Sequence, residues 1–232
     1  MKKIVALILT LIMCLVAFAS CIEGGSYVVD ASYDDEGNLI LEYSNGRTQN
    51  IGRVTEDDGL EYYPLPDGTY AVGKGNTQFL EEIVIPSTHN GKPVTKIAKD
   101  AFLEAKNLKK VTISEGIQII GENAFRECSK LETVVLSTGV TTIEKNAFAN
   151  CNVLKEINLP NTVTTISLNA FSYCYKLERI VIPSSVVDMG NIVFAGSNTI
   201  NIFCELPSKP DNWKSTWNAG QPVTWGYVAE QP

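Results

Sequence analysis

The sequence predicts an α/β solenoid: a right-handed stack of about five coils of 23 residues, with a parallel β-sheet along one side, short helices opposite and β-rich caps. Three observations lead there. Phe102, Phe125, Phe148, Phe171 and Phe194 stand 23 residues apart, and Ala101, Ala124, Ala147 and Ala170 directly precede four of them. The same ruler links Leu108, Leu131, Leu154, Leu177 and Ile200, then Ile97, Ile120, Ile143, Ile166 and Met189, and also Val111, Val134, Ile157 and Ile180. Between these apolar columns the residues vary freely, as exposed positions do when only the inward ones must stack on the next coil. One unit has about eight inward side chains, too few for a core of its own, so neighbouring coils must share one.

Taken in order, residues 1–20 read as a signal peptide. Lys2 and Lys3 precede an apolar or small run of 16 residues, Ile4 to Ala19, shorter than the roughly 20 that cross a bilayer as a helix. Phe18-Ala19-Ser20-Cys21 resembles the bacterial lipobox, which makes Cys21 the predicted lipidation site, although Phe18 stands where leucine is usual. A cut after Ala19 would instead release a secreted chain. Residues 21–60 read as a lipid-anchored stalk with a small β-hairpin unit, because Leu39, Leu41 and Tyr43 alternate between the turn signals Glu36-Gly37 and Asn45-Gly46. Residues 61–204 form the predicted solenoid, opening with an N-terminal cap, and residues 205–232 the C-terminal cap.

Within one unit the apolar spacing changes character. Ala147, Phe148, Cys151 and Leu154 are three and four apart, the pattern of a short helix with one buried face, and Asn146 stands where an N-cap belongs. Asp100, Asn123 and Asn169 repeat that position. Leu154, Ile157 and Leu159 then pass into alternation, a short strand that Pro160 ends; Pro86 and Pro183 close equivalent strands.

The L-x-x-[VI]-x-[IL]-P and N-A-F-x-x-C-x-x-L patterns resemble the BspA-like, Treponema-type leucine-rich repeat over about residues 83–204. The stretch "DGTYAVGKGNTQFLEEIVIPSTHNGKPVTKIAKDAF" resembles the entry into such arrays, and "CELPSKPDNWKSTWN" with "VTWGY" their exit. Two departures stand out: five extra residues around His89-Asn90-Gly91 in the first coil, and Ser197 in place of the cysteine in the last. The resemblance implies a bacterial cell-surface protein that attaches to host matrix or plasma proteins or to other bacteria.

Composition narrows the function classes. With 44% hydrophobic and 19% charged residues the chain folds, and its net charge of −7 becomes −9 once Lys2 and Lys3 leave with the leader. That charge opposes nucleic acid as a partner. Cys128, Cys151 and Cys174 fall on the inward side beside phenylalanine and leucine, where a thiol acts as a small hydrophobe. Parallel Cβ vectors in stacked coils make disulfides between them poor in geometry. No C-x-x-C pair occurs and His89 is the only histidine, so neither a zinc site nor a Ser-His or Cys-His centre is predicted. Asp34-Asp35-Glu36 and Glu56-Asp57-Asp58 lead into turn signals and lack calcium-loop spacing. No catalysis, metal or cofactor is expected.

Non-covalent binding is. Side chains between inward strand residues line up across coils as Lys110, Thr133, Glu156 and Arg179 in one file and Thr112, Val135, Asn158 and Val181 in the next. This ribbon is the predicted protein-binding face. Beside it Lys109, Glu132, Lys155 and Glu178 alternate in sign, as register support between coils. Trp213, Trp217 and Trp225 are predicted to seal the last coil, with stacking on a glycan as the competing reading.

Overall fold

The computed structural model describes residues 28–33, 38–53 and 59–228. The leader and Cys21 lie outside the described residues. The chain divides into two compact units, Met1–Asp58 and Gly59–Pro232. In the first, β1 (Val28–Tyr33), β2 (Asn38–Tyr43) and β3 (Thr48–Arg53) form an antiparallel meander. The turn from β2 to β3 carries Asn45-Gly46, with Gly46 at φ 76°.

In the second unit β4 (Glu61–Pro64) pairs antiparallel with β5 (Tyr70–Gly73), and coils follow. The first contributes β6 (Glu82–Ile85), β7 (Thr88–His89) and β8 (Lys92–Ile97). Its extra residues make a ledge in which β7 and β8 pair antiparallel around Asn90-Gly91. Later coils supply β9 (Lys110–Ile113) and β10 (Ile119–Ile120), β11 (Thr133–Leu136) and β12 (Thr142–Ile143), then β13 (Glu156–Ile157) and β14 (Thr165–Ile166). After these come β15 (Arg179–Ile182), β16 (Asp188–Met189), β17 (Asn201–Cys204) and β18 (Val223–Trp225).

Each full coil therefore has two strands, where the sequence suggested one sheet. A ladder runs β5-β8-β10-β12-β14-β16 and a second β6-β9-β11-β13, while β15-β17-β18 form a third, all parallel. The Ile97, Ile120, Ile143, Ile166 and Met189 column sits in the first ladder, which is why it repeats as strictly as the others.

All the inward columns are buried in one continuous core. The phenylalanines stack nearly parallel, with ring centroids 5.1, 5.3, 5.5 and 5.8 Å apart. These separations follow the roughly 4.8 Å rise between paired strands, so each ring rests on its copy in the next coil.

The predicted short helices are absent: the described residues contain strands and turns and no helix. Asn146, read as an N-cap, has φ 56°, and Asn150 has φ 61°. Asp100 and Glu104, Asn123 and Glu127, and Asn169 and Tyr173 repeat this left-handed pair. A right-handed helix cannot contain it. The N–H groups of Asn146, Phe148 and Asn150 instead donate to Leu168 O, Ala170 O and Ser172 O of the next coil at 3.0, 2.9 and 2.8 Å. Within the coil, Ala149 N–H bonds Asn146 O at 3.0 Å and Leu154 N–H bonds Cys151 O at 3.1 Å. Consecutive turns of this kind also bring residues three and four apart to one side, which is why the pattern read as helical. Asparagine tolerates the left-handed region, and the side chains form their own ladder: Asn123 Nδ2 donates to Asp100 Oδ1 at 2.8 Å and Asn146 Nδ2 to Asn123 Oδ1 at 2.9 Å.

The cysteines are more than small hydrophobes. Cys128, Cys151 and Cys174 donate Sγ–H to Phe102 O, Phe125 O and Phe148 O at 3.1, 3.2 and 3.2 Å. Ser197 takes the same role, donating to Phe171 O at 2.9 Å and accepting Cys174 N–H at 2.9 Å. All four described cysteines are free and buried. Burial pushes the thiols of Cys128 and Cys174 up to about 12 from 9.0, and that of Cys151 well above 9.0.

Cys151→Ala strips the donor from a buried carbonyl and costs about 1–3 kcal/mol in urea unfolding, whereas Cys151→Ser, the arrangement at Ser197, costs less. Because the folded thiols hold their protons to higher pH than the unfolded ones, their contribution is complete below pH 9.0 and declines as pH rises towards about 12. The urea midpoint of the native chain should fall across that window more than that of Cys128→Ser/Cys151→Ser/Cys174→Ser.

Candidate protein-recognition face

Strand alternation places the two predicted files on the outward side. Lys110, Thr133 and Glu156 are register partners across β9, β11 and β13, and Thr112 pairs with Val135. Val135, Glu156, Asn158 and Arg179 are exposed; Lys110, Thr112, Thr133 and Val181 are half-buried. An exposed valine, 44% accessible, among small and polar neighbours makes the middle of this face partly apolar.

The ladder of charge beside it is partly formed. Lys155 Nζ lies 2.6 Å from Glu132 Oε2, Lys109 Nζ 2.8 Å from Glu81 Oε1 and Lys110 Nζ 3.9 Å from Glu82 Oε2. The hydrogen bond from Lys155 holds the Glu132 carboxyl below the usual carboxylate range, and the bond to Glu81 raises Lys109. Lys109 thus pairs back to Glu81, a residue of the first coil outside the alternating file.

Between β13 and β15 the face is interrupted. The second ladder stops at β13 and the third begins at β15, with no strand pairing across the step. A groove of about 320 Å³ opens there, lined by residues 155–158 of one coil and 178–181 of the next. Glu156, Asn158, Arg179 and Val181 are brought together around it, while Lys110, Thr112, Thr133 and Val135 lie on the unbroken sheet. The local cause is legible: β13 has two residues where β9, β11 and β15 have four. Asn158 occupies the column that Thr112, Val135 and Val181 fill elsewhere, and Pro160 follows. Asparagine is depleted in strands and proline cannot donate to a ladder.

Arg179 is held by the C-terminal end of the array. Its guanidinium lies 4.3 Å from the Phe203 ring centroid and 5.0 Å from that of Tyr227, and Nη2 donates to Tyr227 Oη at 2.6 Å. Phe203 and Tyr227 escaped the sequence reading because Tyr227 lies past the last repeat, where no column predicts it.

Trp213 and Trp217 are each 2% exposed and meet edge to face at 5.0 Å, with Trp217 set against Phe194 at 6.1 Å. They prolong the phenylalanine column and cover its last ring. Rings so enclosed offer no face to a sugar; Trp225, half-buried, packs against both at 6.0 and 6.1 Å. His89 stacks on Tyr62 with centroids 3.7 Å apart. Among the described residues no three His, Cys, Asp or Glu side chains gather as metal ligands, and no helix is long and apolar enough to cross a membrane.

Parallel ladders repeating every 23 residues around stacked leucine and phenylalanine columns define a leucine-rich-repeat solenoid. The chain belongs to the family of the BspA-type leucine-rich repeat region, which it matches in six copies over residues 75–201, one more than the phenylalanine columns suggested. Among solved structures, a leucine-rich repeat protein of Treponema pallidum is 28% identical with a TM-score of 0.62, covering 64% of this chain and 70% of that one. A leucine-rich repeat protein from Bacteroides ovatus is 27% identical with a TM-score of 0.56, covering 69% of this chain but 42% of that one, so the present chain spans less than half of its length. The pneumococcal vaccine antigen PcpA, 18% identical with a TM-score of 0.51, shares the fold over 75% of this chain and 49% of its own. No curated protein matches the sequence.

Asn158→Val, which restores the β-branched residue of the neighbouring coils, should lengthen β13 and add about 0.5–1 kcal/mol in urea unfolding. Slower amide exchange at residues 157–159 checks that the gain comes from the strand.

Proposed function

We propose that the protein is a non-catalytic binding protein of the bacterial cell surface, held by a lipid on Cys21. It presents the outward face of β9, β11 and β13, with the adjoining groove, to a protein ligand: a host matrix protein or a protein on another cell. The observation that carries this reading is the face itself, where Val135 is exposed between half-buried Thr112 and Thr133 and the exposed Glu156. An apolar centre within a polar rim is how protein interfaces are built. Membership of a repeat family whose solenoids expose such faces supports it. The glycan reading loses its basis, since two of its three rings are buried.

Residues 22–232 are to be used in pull-downs against matrix proteins and whole cells, beside Val135→Arg and Val135→Arg/Thr112→Glu. The variants should keep the thermal midpoint and bind a captured partner at least about tenfold more weakly. Equal capture overturns the face; no capture by the native chain leaves a spacer. Metabolic labelling with a fatty acid should mark the native chain and not Cys21→Ala, and an unlabelled native chain removes the anchor.

A further inference from the structure

The interruption between β13 and β15 has a chemistry of its own. Coil after coil, one backbone bond joins equivalent positions: Lys109 N–H to Glu81 O at 2.7 Å, Glu132 to Lys109 at 2.8 Å, Lys155 to Glu132 at 3.1 Å and Asn201 to Glu178 at 2.9 Å. The series skips the step from Glu178 to Lys155. The facing edges of β13 and β15 consequently line the 320 Å³ groove without a strand partner across it. At roughly 30 Å³ per water, that volume holds on the order of ten waters, the scale of one long side chain rather than a folded segment.

Both cations that border the groove are engaged. Lys155 is bound to Glu132 at 2.6 Å, and Arg179 is held on the Phe203 and Tyr227 rings with its 2.6 Å bond to Tyr227 Oη. Glu156 on one lip and Glu178 on the other are exposed and carry no ion pair. Elsewhere on this face the carboxylates of Glu81, Glu82 and Glu132 are matched to lysines. What the groove leaves unmatched is thus two carboxylates above strand-edge carbonyls, a set of acceptors.

We propose that the groove between β13 and β15 receives a basic side chain, arginine or lysine, projecting from the protein partner, with Glu156 and Glu178 as its counter-charges. The inference rests on the strand-face reading and names the residue type that the partner contributes. Arginine suits the place best, since its planar fork offers five N–H donors to carboxylates and carbonyls together. The chain's net charge of −7 favours approach by a basic surface.

The test is a titration of the ¹⁵N-labelled mature chain with the blocked tripeptide Ac-Gly-Arg-Gly-NH2, and with its citrulline counterpart, equal in shape and uncharged. The arginine peptide should shift the amides of residues 156–158 and 178–181 in a saturable, salt-sensitive way. Citrulline should bind at least about tenfold more weakly, and Glu156→Gln/Glu178→Gln should lose a similar factor while its other amide shifts stay in place. Equal response to citrulline, shifts confined to other coils, or indifference to the double variant overturns the proposal. Partner capture separates this failure from that of the face. Loss with Val135→Arg but none with Glu156→Gln/Glu178→Gln removes the basic side chain and keeps the face. Undiminished capture by Val135→Arg, with the tripeptide bound as described, keeps the groove and removes the face.

Discussion

Asn123, Phe125 and Glu127 each pass an N–H to the coil that follows, to Lys145, Ala147 and Ala149, and the same three positions do so in the neighbouring coils. This transfer of backbone hydrogen bonds from coil to coil is the constraint on which the rest depends. Buried N–H and C=O groups must find partners, and a turn segment without a helix has few of its own. Bonding forward places every residue above its copy about 23 positions away. The side-chain columns are a consequence of that register: phenylalanines stack within 5.1–5.8 Å, asparagine amides link to one another and thiols reach the phenylalanine carbonyl one coil back.

The same constraint accounts for residue choices that propensity alone would reject. A left-handed conformation at two positions per coil is costly for most side chains, yet Glu127, Asn150 and Tyr173 adopt it at φ 62°, 61° and 58°. Only that bend directs alternate N–H groups along the stack. At the end of the array Trp217 covers the Phe194 ring, because a column of rings that stopped in water would expose its last face.

Where the transfer lapses, the surface acquires individuality. Identical coils would present a uniform ribbon, and the break between β13 and β15 is the point at which two neighbours differ. Asn158 and Pro160 shorten one strand, Arg179 turns towards the C-terminal aromatics, and Glu156 and Glu178 are left without the lysine partners of the earlier carboxylates. A local conflict between residue preference and fold is expected at sites retained for function.

The period, the inward columns and the outward files could be read from the sequence, because stacking demands that equivalent residues recur at fixed intervals and because strand alternation separates the two faces. The conformation of the turns could not. Apolar spacings of three and four arise from a helix and from a run of left-handed turns alike, and hydrogen bonds to a coil 22 residues away leave no mark in local pattern. The thiol columns looked merely apolar for the same reason, since the carbonyl each one bonds belongs to the coil before. The files named Glu156, Asn158, Arg179 and Val181 but not the groove between them. A missing rung is a relation between two coils, and only their packing decides it.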